Sequence, residues 1–505
     1  MNFMNAMQNE IKAEKTYTVN GATAYATSGK KLTDFYYAIT GMRQMNEEEI
    51  KNMYTPVFFE DPMNAVKMLF QMRDCRGGNG ERKIFRSGLV WLAENKPEIA
   101  KAVIPLVAEY GRWDDLWCLL DTSLNNDVCK FVKMQLEEDI EKCEMGRNIS
   151  LLAKWLPSLN ASSRKTYHYA EIIRNYLDIT PRQYRKTLSK IRAYLDVVER
   201  KMSAKQWGDI DYATVPSQTN VKCSAAFLRN DRDRRREYLD SLVKGETKIN
   251  ASVLQPHEIV AKYVGGNGWY GRTVKPYDEA LEQLWKAMPE VGIENCLVVR
   301  DGSGSMLSGY NTSVKPLDVA TALAIRMAKN NKGIWKDKFI TFSARPKIGD
   351  LSNCGTLHDM LVLTYAENDC TNTNIEATMM LVLDTAINNH CSQEDMPKTI
   401  LILSDMQFDQ ATYGRVDISL FDNIAQRFIA AGYKMPKICF WNLSGRVNNT
   451  IPMQQNELGV ILISGFSTQL ANMVMSGKTD PYEVILEAIN APRYQPVEDA
   501  VKGII

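Results

Sequence analysis

The sequence predicts two kinds of architecture in one chain. The first part is all-helical, an α-solenoid or helical-repeat body, and the second is an α/β domain on a mostly parallel sheet. Three observations carry this. Up to about residue 285, apolar residues recur at steps of three and four. From about residue 293 the rhythm becomes apolar run, amphipathic stretch, apolar run. At 505 residues the chain is also too long for a single core. The boundaries read as an arm over 1–30, a helical domain over 31–290 and an α/β domain over 291–505.

In QYRKTLSKIRAYLDVVER (183–200), Tyr184, Leu188, Ile191, Leu195 and Val198 form one apolar stripe. Arg182, Arg185, Lys186 and Lys190 project from the opposite side. Similar segments lie at 62–73, 83–94, 97–109, 113–120, 127–142 and 275–288, joined by the turns RGGNG, ENKP, EYGR and DITP. The stretch RDCRGGNGERK (73–83) has neither the spacing of a phosphate loop nor a Ser or Thr after its lysine. It predicts a helix end that uses positive φ, with Glu81 opening the next helix. In EYGRWDDLWCLL (109–120), Gly111 is a breaker and Trp113, Leu116 and Trp117 form a packing stripe.

In the second part, CLVV (296–299), KFITF (338–342), MLVLTY (360–365), TILILS (399–404), KICFW (437–441) and GVILIS (459–464) read as buried strands. Helical stretches at 316–330, 374–389, 419–432 and 468–476 separate most of them. This is the pattern of a parallel sheet covered on both faces, which binds ligands at the carboxyl ends of its strands.

Composition narrows the function classes. No run of about 20 apolar residues is present, so no membrane span is expected. The first residues lack a basic region followed by an apolar block, so no secretory signal is expected. The ten cysteines form no CxxC pair, which argues for free thiols in a reducing, cytoplasmic setting. The four histidines are dispersed and no HExxH occurs, which argues against a zinc protease. Near-neutral net charge hides an asymmetry. Residues 164–236 carry 17 basic and 8 acidic side chains, a net of +9 and a candidate polyanion footprint. Arg164, Lys165, Arg182, Arg185, Lys186, Lys190 and Arg192 are the candidate phosphate contacts, with Tyr167, Tyr169 and Tyr184 nearby in sequence as stacking candidates for bases; a solvated basic face over core tyrosines is the alternative. The run RNDRDRRREY (229–238) interleaves aspartates, so part of it is self-paired.

The stretch VVRDGSGSM (298–306) places Asp301, Ser303 and Ser305 two residues apart where a buried strand should end. No lysine follows as a phosphate loop needs, and the final glycine of GxSxG is absent. Oxygen ligands at i, i+2 and i+4, with glycines relieving crowding, suit a hard cation better. A plain Gly/Ser turn, with Ser404 and Asp405 capping a helix, is the bland reading. DCTNTNIEA (369–377) and LILSDMQFD (401–409) supply further oxygens before a helix and after another strand.

These three segments together resemble the metal-ion-dependent adhesion site of von Willebrand factor A domains. The resemblance implies a Rossmann-like fold and a divalent cation, Mg²⁺ or else Ca²⁺ or Mn²⁺. Its ligands would be Asp301, Ser303, Ser305, Thr373 and Asp405, with Thr371 standing in for Thr373. One coordination position would be open to an acidic group of a partner protein. RDxRGGxGER, EYGRWDDLW and KWLPS (154–158) resemble the TROVE module, the HEAT-like helical ring of Ro ribonucleoproteins. A cousin family that pairs such a region with a C-terminal von Willebrand A domain is closer. YRKTLSKIR, MSAKQW, KGETKINASVLQPHEIV, SDMQFD, FWNL and SGFS are similar to it. The resemblance implies a monomeric, non-enzymatic protein that binds small or misfolded RNA; the rival expectation is a protein-adhesion module working through the metal. A single-metal hydrolase or nuclease would need more carboxylates than Asp301, Asp405 and Asp409 provide.

Overall fold

The computed structural model describes residues 15–17, 23–25, 28–266, 272–307, 314–343, 345–367, 375–406, 419–443, 460–475 and 480–505. The chain forms two compact units, one of residues 1–46 with 251–488, the other of residues 47–250 with 489–505. The expected divisions at 30 and 290 followed local periodicity. Periodicity reports whether a segment is helical, not which core it packs on. Helices Lys31–Tyr37, Pro256–Tyr263 and Glu279–Lys286 belong to the unit that holds the sheet, and the last 17 residues to the helical unit.

The helical unit follows from caps and turns. The Asp61 carboxylate accepts the Asn64 N–H at 3.0 Å, and Pro62 occupies the first turn of Pro62–Arg73, where its missing N–H costs nothing. The RGGNG turn then reverses the chain. A Cβ on Gly78 would lie 1.8 Å from the Gln71 carbonyl oxygen, so only glycine fits, and Gly80 takes φ +74°. Glu81 precedes helix Arg82–Asn95, as expected. The 97–109 segment breaks at Pro105 into Pro97–Val103, a 3₁₀ turn and Val107–Tyr110, and Trp113–Leu119 is a 3₁₀ helix. Beyond these lie α1 (Asn125–Glu144), α2 (Arg164–Tyr176) and α3 (Pro181–Tyr194), with α2 and α3 both packed on α1. Helix α3 opens on a Thr180/Gln183 capping box. It ends at Tyr194 instead of running on to residue 200. Asp196 takes φ +48° and a separate helix, Val198–Ser203, follows.

The RGGNG and WDDLW stretches meet at one buried carboxylate. Asp115 is 0 % exposed and accepts from Arg73 Nε at 2.7 Å, Arg86 Nε at 2.7 Å and the Arg112 N–H at 2.9 Å. A Cβ on Gly111 would come within 2.5 Å of this carboxylate. The same unit captures its C-terminal segment. Asp74 accepts from the Arg493 guanidinium and from the Tyr494 hydroxyl at 3.2 Å, and Lys67 Nζ donates to Asn490 Oδ1 and Glu498 Oε2, both at 2.6 Å.

The other unit is built on six strands: β1 (Cys296–Asp301), β2 (Lys338–Phe342), β3 (Ile348–Asp350), β4 (Thr399–Ser404), β5 (Lys437–Asn442) and β6 (Val460–Ser464). Their order is β6-β5-β4-β1-β2-β3, all neighbours parallel except the β2–β3 pair. Every residue of β1 and β4 is buried, the signature of a sheet covered on both faces. Helix Ile375–Asn388 packs Ile375, Met379 and Leu383 into the core formed with Val299, Ile340, Ile402 and Phe440. The run MLVLTY is not a strand. It lies in helix Leu357–Ala366, which a Thr356/Asp359 capping box opens. Leu357, Met360, Leu361 and Thr364 are its buried positions, a helical spacing hidden in a continuous apolar run. The short edge strand β3 was not expected. Among the described residues no helix is long and apolar enough to cross a membrane.

Asp115→Ala would leave the buried Arg73 without its carboxylate. A loss of about 3–5 kcal/mol in denaturant unfolding is expected; a loss below about 1 kcal/mol would remove Asp115 as the organiser of this unit.

Candidate functional site

β1 leads onward to β2 on one side of the sheet, and β4 lies on its other side. The boundary between β1 and β4 is therefore the point where strand order reverses, the place at which open parallel sheets form a crevice beyond their carboxyl ends. Asp301 is the last residue of β1 and Asp405 directly follows β4. Both are buried, at 0 % and 2 % exposure.

The loop after β1 folds back on its own aspartate. Ser303 N–H donates to Asp301 Oδ1 at 2.8 Å, and the Ser303 and Ser305 hydroxyl oxygens lie 2.9 Å apart. From β4, Ser404 Oγ donates to Asp301 Oδ2 at 2.5 Å and accepts the Met406 N–H at 3.1 Å. Met406 takes φ +61°, a conformation uncommon outside glycine, which turns the chain sharply after Asp405. Ser404 was not among the expected site residues. The signal was its place at the end of β4, beside Asp405.

Burial, and then the negative charge of Asp405, push the Asp301 carboxyl up from its ordinary value to about 7. Two carboxylates enclosed together favour binding either a proton or a cation. The donors are all oxygens, carboxylate and hydroxyl, which suits Mg²⁺, Ca²⁺ or Mn²⁺ and disfavours softer metals. Four of the five expected ligands (Asp301, Ser303, Ser305 and Asp405) thus come from two adjacent strand ends, while Thr373 and Thr371 lie outside the described residues. Among the described residues no group of three or more His, Cys, Asp or Glu side chains gathers. An ion held between these two carboxylates would take its remaining ligands from hydroxyls and water.

In the helical unit, Arg164, Lys165, Arg182, Arg185, Lys186 and Lys190 are all exposed on α2 and α3. Among the described residues Arg164, Arg182, Arg185 and Lys186 form no ion pair, whereas Lys190 meets Glu144 at 3.0 Å and Lys165 lies 5.6 Å from the Tyr169 ring. Arg192 is different. It donates to Ala153 O at 2.8 Å, Leu156 O at 2.6 Å and Ser158 Oγ at 2.9 Å, so its guanidinium holds the KWLPS segment. Of the three tyrosines only Tyr167 is exposed. Tyr169 is buried with its hydroxyl on Asp121, and Tyr184 with its hydroxyl on Pro157 O. Within 229–238, Arg234 pairs with Asp231 at 2.9 Å and Arg235 is buried among Tyr212, Phe227 and Tyr238.

Residues 18–143 and 161–291 match the family described as domain of unknown function DUF2828, over half of the chain. The chain belongs to the DUF2828 family. Residues 295–495 match a second family, domain of unknown function DUF7788, and this match includes every strand of the sheet. The chain is 30 % identical to uncharacterized protein L728 of Acanthamoeba polyphaga mimivirus, across 96 % of this chain and 89 % of that protein. The crystal structure of the Deinococcus radiodurans Ro (RSR) protein aligns over 89 % of this chain and 92 % of its own, with 13 % identity and a TM-score of 0.44.

The raised Asp301 pKa fixes a pH dependence. Between its ordinary value and about 7, the folded chain without metal keeps a proton that the unfolded chain releases. That stabilising contribution is complete at low pH and is lost as pH rises through about 7. In chelator, thermal unfolding of the wild type should fall between pH 5 and pH 8 more steeply than that of Asp301→Asn. Identical slopes would contradict the buried carboxylate pair.

Proposed function

We propose that this protein is a non-enzymatic RNA-binding protein in which the helical unit contacts small or structured RNA. In this reading its other unit is a von Willebrand A-type domain holding a divalent cation through Asp301, Ser303, Ser305, Thr373 and Asp405. The observation that carries the RNA reading is the exposed set Arg164, Arg182, Arg185 and Lys186, which no carboxylate neutralises among the described residues. Cations left uncompensated on one stretch of helices attract phosphates and release counterions on binding. The likeness of KWLPS and its neighbouring segments to the TROVE module supports the same reading. Arg192 takes the role of holding the KWLPS segment against α3, not that of a phosphate contact. When bound, the cation would supply a positive centre for an anionic group, held by the oxygens of Asp301, Ser303, Ser305, Thr373 and Asp405. Ser404 holds Asp301 in place beside it.

A second reading follows from the carboxylate pair itself. A cation held by two buried aspartates and by hydroxyls has coordination positions for an acidic group of a protein partner, as in an adhesion module. Asp301→Ala would then abolish Mg²⁺-dependent capture of that partner. Unchanged capture would remove this reading.

Filter binding of a structured small RNA should weaken linearly in log–log form between 50 and 300 mM salt, at about 0.7 per phosphate contact where the RNA is single-stranded. The triple substitution Arg164→Glu, Arg182→Glu and Lys186→Glu should reduce that slope by about 2. Absence of salt-dependent binding at low ionic strength would overturn the RNA reading.

A further inference from the structure

The helical unit contains a cleft of about 690 Å³ between α3, the segment 154–160 and the helix Val198–Ser203. Its size lies within the range of roughly 300–1,000 Å³ typical of small-molecule sites. We propose that this cleft takes an unpaired nucleotide of an RNA strand, with the base against Trp155 and the phosphate between Arg185 and Arg200. The proposal rests on the RNA-binding reading and adds to it the feature recognised, a nucleotide free of base pairing.

The floor is apolar, made by Leu188 and the buried ring of Tyr184. Trp155 is half-buried in the wall, and its ring is held by Arg112, whose guanidinium carbon lies 4.0 Å from the ring centroid. An oriented, partly open indole is a surface on which an unstacked base can lie.

Charge sets the second requirement. Four cations and one carboxylate, Glu199, line the cleft. Lys154 neutralises Glu199 at 3.1 Å, and Arg192 is engaged by Ala153, Leu156 and Ser158. That leaves Arg185 on α3 and Arg200 on the facing helix, both exposed and without an ion pair among the described residues. Two arginines across a cleft match the oxygens of a phosphate. The hydroxyls of Ser189 and Ser203 and the amide of Asn160 also line it, and supply hydrogen-bond partners for a sugar or a base edge. In a base-paired duplex the internal base faces are stacked and each base is tied to its partner, so no single base can enter the cleft to lie on Trp155.

The test uses the full chain and fluorescence anisotropy, with a labelled 12-nucleotide oligouridine and a blunt RNA duplex of equal length. Trp155→Ala should weaken the single strand by about tenfold and leave the duplex unchanged. Arg200→Ala, at an exposed position that the fold does not use, should weaken the single strand and lower its salt slope by about 0.7. Single-strand affinities within twofold of wild type for both variants would overturn the proposal while leaving the RNA reading intact. If the wild type bound neither RNA, the RNA reading would fall. Titration with uridine 5′-monophosphate would then decide the cleft. Saturable quenching of tryptophan fluorescence that Trp155→Ala abolishes would support a site for a free nucleotide, and no quenching would overturn the nucleotide assignment altogether.

Discussion

Parallel pairing of β1 with β4 is the constraint on which the candidate metal centre depends. These strands are separated by about a hundred residues, yet their register sets Cys296 opposite Thr399 and Arg300 opposite Leu403. That alignment brings Asp301 and Asp405 to neighbouring strand ends. Both strands are completely buried, so a one-residue slip would turn every side chain to the other face. The same packing that stabilises the sheet therefore crowds two carboxylates that would repel each other in the absence of a proton or cation.

The helical unit shows a different use of charge. Around Asp115, arginines from distant stretches are consumed in holding the turns together, and Asp74 does the same for the C-terminal segment. Arg192 and Arg235 likewise belong to the architecture. The surplus cations on α2, α3 and the helix after α3 stand apart from these networks. This division separates arginines that build the unit from those left exposed on its surface. It also explains why net charge over 164–236 overstated the available surface.

Much of the fold was legible in the sequence because its signals are local. Continuous apolar runs at strand ends located Asp301 and Asp405, and the alternation of glycine with serine located Ser303 and Ser305. RGGNG and Gly111 behaved as breakers for steric reasons visible in their neighbours, Gln71 and Asp115. Non-local features were hidden. MLVLTY carries the same composition as a buried strand, and only its capping residues, Thr356 and Asp359, distinguish it as a helix. Helices 31–37 and 279–286 look like those of the helical unit, but their apolar faces are used against the sheet unit. Ser404 needed the strand pairing to become visible as the partner of Asp301. Thr373 lies outside the described residues, so its place in the centre rests on the resemblance of its loop.

We propose that the crowded pair Asp301 and Asp405 holds a divalent cation. Equilibrium dialysis of the full chain against Mn²⁺, read by electron paramagnetic resonance, tests it most directly. One bound ion per chain is expected, displaced by Mg²⁺ and absent in the Asp301→Asn, Asp405→Asn double variant. No bound ion in the wild type, or undiminished binding in the double variant, would contradict it.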